Sequence, residues 1–105
     1  MGIDLSGGPS LASGAWRYCL RMAVAHGWEP EGTLPPDYWR ADEEWSGEYL
    51  SNGGQTVTDG DARSLAAALD RAVASMRGIG LGNDGDCCAL AEVADRARLG
   101  GFGIW

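Results

Sequence analysis

The chain has 105 residues, 45% of them apolar, and sets fifteen acids against eight arginines and no lysine, for a formal net charge of −7. That length suits one domain with one core, and the charge excludes nucleic acid and anionic membranes, since both need a basic patch that releases counterions. No apolar run approaches the roughly 18 residues of a membrane span and the opening Met1-Gly2-Ile3-Asp4 lacks the charged and apolar regions of a secretory leader, so a cytoplasmic protein is expected.

Ile3-Asp4-Leu5 alternates like a short strand and meets a forced turn at Gly7-Gly8-Pro9. A first helix is predicted over about 14 to 26, with Ser13 as its N-cap and Trp16, Cys19, Leu20, Ala23 and Val24 recurring at three- and four-residue spacing. Gly27 stops it, and Trp28 is expected to fold back on its end. Three prolines and a glycine between Glu29 and Asp37 preclude regular structure and mark a surface loop. The spacing of Trp45, Gly47 and Tyr49, followed by Asn52-Gly53-Gly54 and Gln55-Thr56-Val57, predicts a hairpin with strands within 47 to 57.

Thr58-Asp59-Gly60-Asp61 reads as a capped opening to a second helix over about 59 to 77, with Leu65, Leu69, Val73 and Met76 inward. A glycine-punctuated connection precedes a third helix over about 86 to 98, capped by Asp84 or Asp86, with Cys87, Leu90, Val93, Ala94 and Ala97 inward. Asp59 to Ala72 and Asp84 to Ala97 share eight identities in fourteen positions, which two helices under one amphipathic constraint explain without duplication. Phe102-Gly103-Ile104-Trp105 alternates as a closing strand that could pair with Ile3 to Leu5 or with the hairpin. The expected fold is α+β, a single small domain spanning 1–105 in which three helices pack with a few short antiparallel strands.

Charge singles out one stretch. Between Glu29 and Glu48 seven acids face Arg40 alone, so six of the seven net negative charges fall within twenty residues that also hold Tyr38, Trp39 and Trp45. Electric field and flat apolar area coincide there, which is the composition of a docking surface for a basic protein. The candidate partner-binding residues are Tyr38, Trp39, Asp42, Glu43, Glu44, Trp45 and Glu48.

Other chemistry is weaker. The Asp-Gly-Asp turns at 59–61 and 84–86 invite a calcium reading, but the further ligands of a calcium loop are missing and helix capping accounts for both. Cys87-Cys88 opens a helix, where a thiol pKa can fall, yet adjacent cysteines lack the spacing of redox or zinc sites. Three cysteines in all fit reduced thiols better than a disulfide framework. His26, the sole histidine, sits in a last helical turn, where the negative helix end explains it. Gly78-Ile79-Gly80-Leu81-Gly82 lacks the context of a phosphate loop. No catalytic residue, metal or cofactor is therefore expected. The first functional reading is a non-enzymatic protein-binding module, inhibitor- or immunity-like. The alternatives are a small-molecule or metal-responsive enzyme or sensor using Cys88, His26 or the Asp-Gly-Asp turns, and a homo-oligomeric structural protein.

The segments Gly27-Trp28-Glu29-Pro30-Glu31-Gly32-Thr33, Trp45-Ser46-Gly47-Glu48-Tyr49, Asn52-Gly53-Gly54-Gln55-Thr56-Val57, Asp61-Ala62 and Gly100-Gly101-Phe102-Gly103-Ile104 together resemble a group of small uncharacterised bacterial proteins. The resemblance implies a bacterial origin and one domain. It transfers no activity and no site residue.

Overall fold

The computed structural model describes residues 2–40, 42–78 and 84–105, except the side chains of 84–88. It is an α+β domain whose elements run β1 (Gly2–Asp4), β2 (Ser10–Ala12), α1 (Ser13–Ala25), β3 (Gln55–Val57), α2 (Asp59–Gly78), α3 (Asp84–Arg98) and β4 (Phe102–Ile104). No helix among the described residues is long and apolar enough to cross a membrane.

The helices follow their apolar spacing. Helix α2 is central and packs against both α1 and α3. Its stripe residues Leu65, Leu69, Val73 and Met76 are buried, while Arg63, Asp70, Arg71 and Arg77 face solvent. From α1 come Trp16, Cys19 and Ala23, and from α3 Leu90, Val93, Ala94 and Ala97. Helix α1 ends as its glycine requires: Gly27 takes a φ of +99°, its N–H reaches the Val24 carbonyl (3.2 Å), and the Trp28 N–H reaches that of Ala23 (2.9 Å). Trp28 is thereby folded into the core, 3% exposed.

Two antiparallel pairs, β1 with β2 and β3 with β4, make two small sheets. They are joined through a Leu5–Ile104 bridge and reciprocal backbone bonds between Asp4 and Trp105 (3.0 and 2.8 Å), so the closing strand meets both the Ile3 to Leu5 segment and Gln55–Val57. Arg96 ties the same region together: its guanidinium donates to the carbonyls of Ser6 (2.6 Å) and Gly101 (3.0 Å) and lies 5.6 Å from the Phe102 ring centre. The turn must pass close to that side chain, and a Cβ on Gly8 would stand 2.7 Å from Arg96 Cγ. The turn therefore needs glycine.

Several expectations are corrected. Residues 10–12 form the strand β2, which runs directly into α1, so Ala12 occupies the N-cap and Ser13 is the first helical residue. Helix α3 begins at Asp84, two residues earlier than expected. The side chains on which the caps at Asp84 and Asp86 and the inward Cys87 depend, and the glycine-rich connection at 79–83, lie outside the described residues. Val24, assigned to the buried stripe of α1, is 53% exposed. The hairpin does not form, because only Gln55–Val57 is strand and its ladder partner is β4. Residues 45–50 turn away at Gly47 (φ +75°), and the Glu48 carbonyl is taken by the Thr33 hydroxyl (2.6 Å). Leu34 bridges to Thr56 instead.

Candidate functional site

Between α1 and β3 the chain runs for nearly thirty residues with one isolated bridge among the described residues, so its backbone groups must find partners outside any ladder. Side chains supply many of them. Among the described residues the buried polar or charged side chains are Thr33, Gln55 and Asp61, and each bonds to this stretch. None of the buried side-chain nitrogen or oxygen atoms described lacks a partner.

Asp61 is the deepest anchor. It is fully buried in the first turn of α2, its own N–H donating to the Thr58 hydroxyl (3.3 Å), as the capped opening predicts. Its Oδ1 accepts from the Trp28 indole Nε1 (2.9 Å) and the Glu31 N–H (3.4 Å), and its Oδ2 from the Tyr49 hydroxyl (2.6 Å). The Tyr49 oxygen in turn accepts from the Gly32 N–H (2.8 Å), and its ring stands edge-on to Trp28 with centres 5.2 Å apart. One carboxylate thus clamps both ends of the acidic stretch onto the helical core. Burial first, and then the bond to Asp61, push the Tyr49 hydroxyl well above the ordinary phenol range. Gln55 fixes the exit: its Nε2 donates to the Ser51 carbonyl (2.7 Å) and its Oε1 accepts from the Gly53 N–H (3.1 Å).

The candidate docking residues sit on the stretch so anchored. Tyr38 is 70% exposed. Trp39 and Trp45 are half-buried and pack against each other edge to face, 4.8 Å between ring centres. The Trp45 Nε1 donates to the Thr33 carbonyl (2.9 Å) and that of Trp39 to the Glu43 carbonyl (3.2 Å), so both indoles hold the loop while leaving part of each ring outside. All seven acids face solvent. Arg40 lies 3.6 Å from Asp42 and 3.7 Å from Glu43, exposed pairs that contribute little to stability. Glu29, Glu31, Asp37, Glu44 and Glu48 have no cationic partner among the described residues. Glu48 also lines an open groove of about 830 Å³ between α1 and residues 48–50.

The residues of the alternative readings are dispersed or outside view. The His26 ring Nδ1 lies 2.9 Å from the Met22 carbonyl of its own helix, and the side chains of Asp84, Asp86, Cys87 and Cys88 are outside the described residues. In the first Asp-Gly-Asp turn, Asp59 accepts the Gly101 N–H (2.7 Å) while Asp61 serves its clamp, so the two carboxylates face different partners. Among the described residues no three His, Cys, Asp or Glu side chains gather as a metal site.

Sequence reasoning missed Asp61 as an anchor. The signal was there: stepping back one turn from Leu65 along the buried stripe lands on an aspartate, and a charge on a core face demands partners. Comparison with family models, curated proteins and solved structures found no match to any of them.

Proposed function

We propose that the protein is a non-enzymatic binding module that engages a basic protein partner through the acidic aromatic stretch, in the manner of an inhibitor or immunity protein of a bacterial cytoplasm. The observation that supports this reading is the use of Thr33, Gln55 and Asp61: buried polar groups are costly to place in a core, and here they hold a highly charged loop in one shape. A solvated acidic run needs no such anchoring. Holding the loop reduces the ordering cost of association, and the five acids without a cation partner supply the field that steers a basic surface toward it. Tyr38, flat and largely exposed, is the aromatic anchor at its edge, backed by the Trp39–Trp45 pair.

The test is capture from the native host, followed by association kinetics of the captured protein. With Asp42→Asn, Glu43→Gln and Glu44→Gln combined, association should slow and lose much of its salt dependence. Tyr38→Ala should instead speed dissociation by tenfold or more, as loss of a hot-spot residue does. Unchanged kinetics in both variants would place the interface elsewhere on the molecule.

A further inference from the structure

The groove beside Glu48 has chemistry of its own. Its floor is apolar, formed by Leu20, Trp28 and Tyr49 between the protruding side chains of Val24 and Leu50, which are 53% and 50% exposed. One wall is α1, which contributes Arg17 and Arg21; the opposite wall carries Glu48. We propose that this groove is a second docking site, for an amphipathic helix of a partner protein that seats an apolar stripe on the floor and carries acidic residues on the flank facing Arg17 and Arg21.

Three observations lead to that occupant. The first is charge. Of the three charged residues lining the groove, two are arginines one turn apart on the α1 wall, and among the described residues neither has an ion-pair partner. Like charges at that spacing oppose the helix that carries them. A carboxylate between two guanidiniums removes the repulsion and gains charge-assisted hydrogen bonds. Glu48 makes the opposite wall complementary to a neutral or basic flank, so the two walls orient a helix as well as attract it.

The second is shape. From Arg17 to Val24 the wall spans about 10 Å at the helical rise per residue, two turns of a docked helix reading its anchors at three- and four-residue spacing. An open trough of about 830 Å³ admits such a helix from the side, without the enclosure a small-molecule site provides. The third is rigidity. Trp28 and Tyr49 in the floor are fixed by Asp61, and the Trp16 Nε1 donates to the Tyr49 carbonyl (2.7 Å), so the floor exists before anything binds. That also explains the exposure of Val24, a residue that sequence spacing assigns to the core.

Panning a phage-displayed library of 16-residue peptides, randomised on one helical face, against the whole protein tests the proposal. Selected peptides should carry large apolar residues at helical spacing with Asp or Glu on one flank, and should perturb the amide resonances of Leu20, Val24 and Leu50. Arg17→Glu with Arg21→Glu should weaken them at least tenfold, and panning against that variant should return Lys or Arg on the same flank. The triple neutralisation of Asp42, Glu43 and Glu44 should leave their affinity unchanged, which separates this site from the acidic face. Selected peptides that are basic and sensitive to the triple variant would overturn the proposal, as would acidic ones indifferent to the arginine reversal. A dimer in sedimentation that Val24→Asp dissolves would assign the groove to a second copy of the chain and overturn it too.

Discussion

The three-helix layer and the stretch from Glu29 to Gly54 are held by different forces. Around α2 the helices bury a continuous set of apolar side chains, an interaction that is non-directional and scales with area. The acidic stretch is held instead by directed hydrogen bonds that Thr33, Gln55 and four indoles donate and that Asp61 accepts. The two regions therefore tolerate different changes. A helix-layer residue can change identity if its volume is kept, whereas an anchor of the stretch can keep its volume and still fail if one acceptor is lost.

Substitutions separate the two regions, the helix layer showing the largest losses. Leu69→Ala opens a cavity in the fully buried centre of α2 and should cost about 2 to 5 kcal/mol in denaturant melts, while Leu69→Met should cost under about 1.5 kcal/mol. Asp61→Ala leaves the Trp28 indole and the Tyr49 hydroxyl without their acceptor and should cost about 2 to 4 kcal/mol, at about 1 to 2 kcal/mol for each stranded donor. The isosteric Asp61→Asn should be worse tolerated than Leu69→Met. Equal costs for those two conservative changes would erase the distinction between the regions.

Tyr49→Phe removes one donor and should cost about 1 to 1.5 kcal/mol near neutral pH. The hydroxyl also ties stability to pH. Because the folded protein holds the Tyr49 hydroxyl above its unfolded value, the stabilisation is fully present below about pH 10, the unfolded phenol value, and is lost as pH rises toward the folded one. Wild-type stability should therefore fall more steeply than that of Tyr49→Phe in melts taken between about pH 9 and 11. Parallel curves would remove Tyr49 from the clamp. Thr58→Ala, which loses only the cap of α2, should cost about 1 kcal/mol and leave the acidic stretch unchanged, as near-ultraviolet circular dichroism of its tryptophans would report.

What the amino-acid pattern reveals divides along the same line. Helices α1, α2 and α3 were readable because apolar burial imposes a 3.6-residue period, and the stop at Gly27 because only glycine adopts that backbone freely. The stretch has no period. Its partners are chosen by tertiary proximity, as when Trp28 meets Asp61 thirty-three residues away, and alternation at Trp45, Gly47 and Tyr49 looks like a strand although each residue turns to a separate task. The density of acids and aromatics marked the stretch as a candidate; it held no sign of the clamp beneath it. Val24 shows the converse limit, since spacing alone does not distinguish a core face from the wall of a groove.

The central claim is that Asp61 holds the acidic stretch as a formed surface rather than a solvated loop. Native-state hydrogen exchange followed by NMR tests it most directly, at the amides of Gly32, Thr33 and Leu34 and the indole N–H of Trp28 and Trp45. In the wild type these should be protected, and in Asp61→Asn their protection should collapse while the amides of Leu65 to Val73 in α2 stay protected. Rapid exchange of the stretch in the wild type, or protection unchanged by the substitution, would contradict the claim.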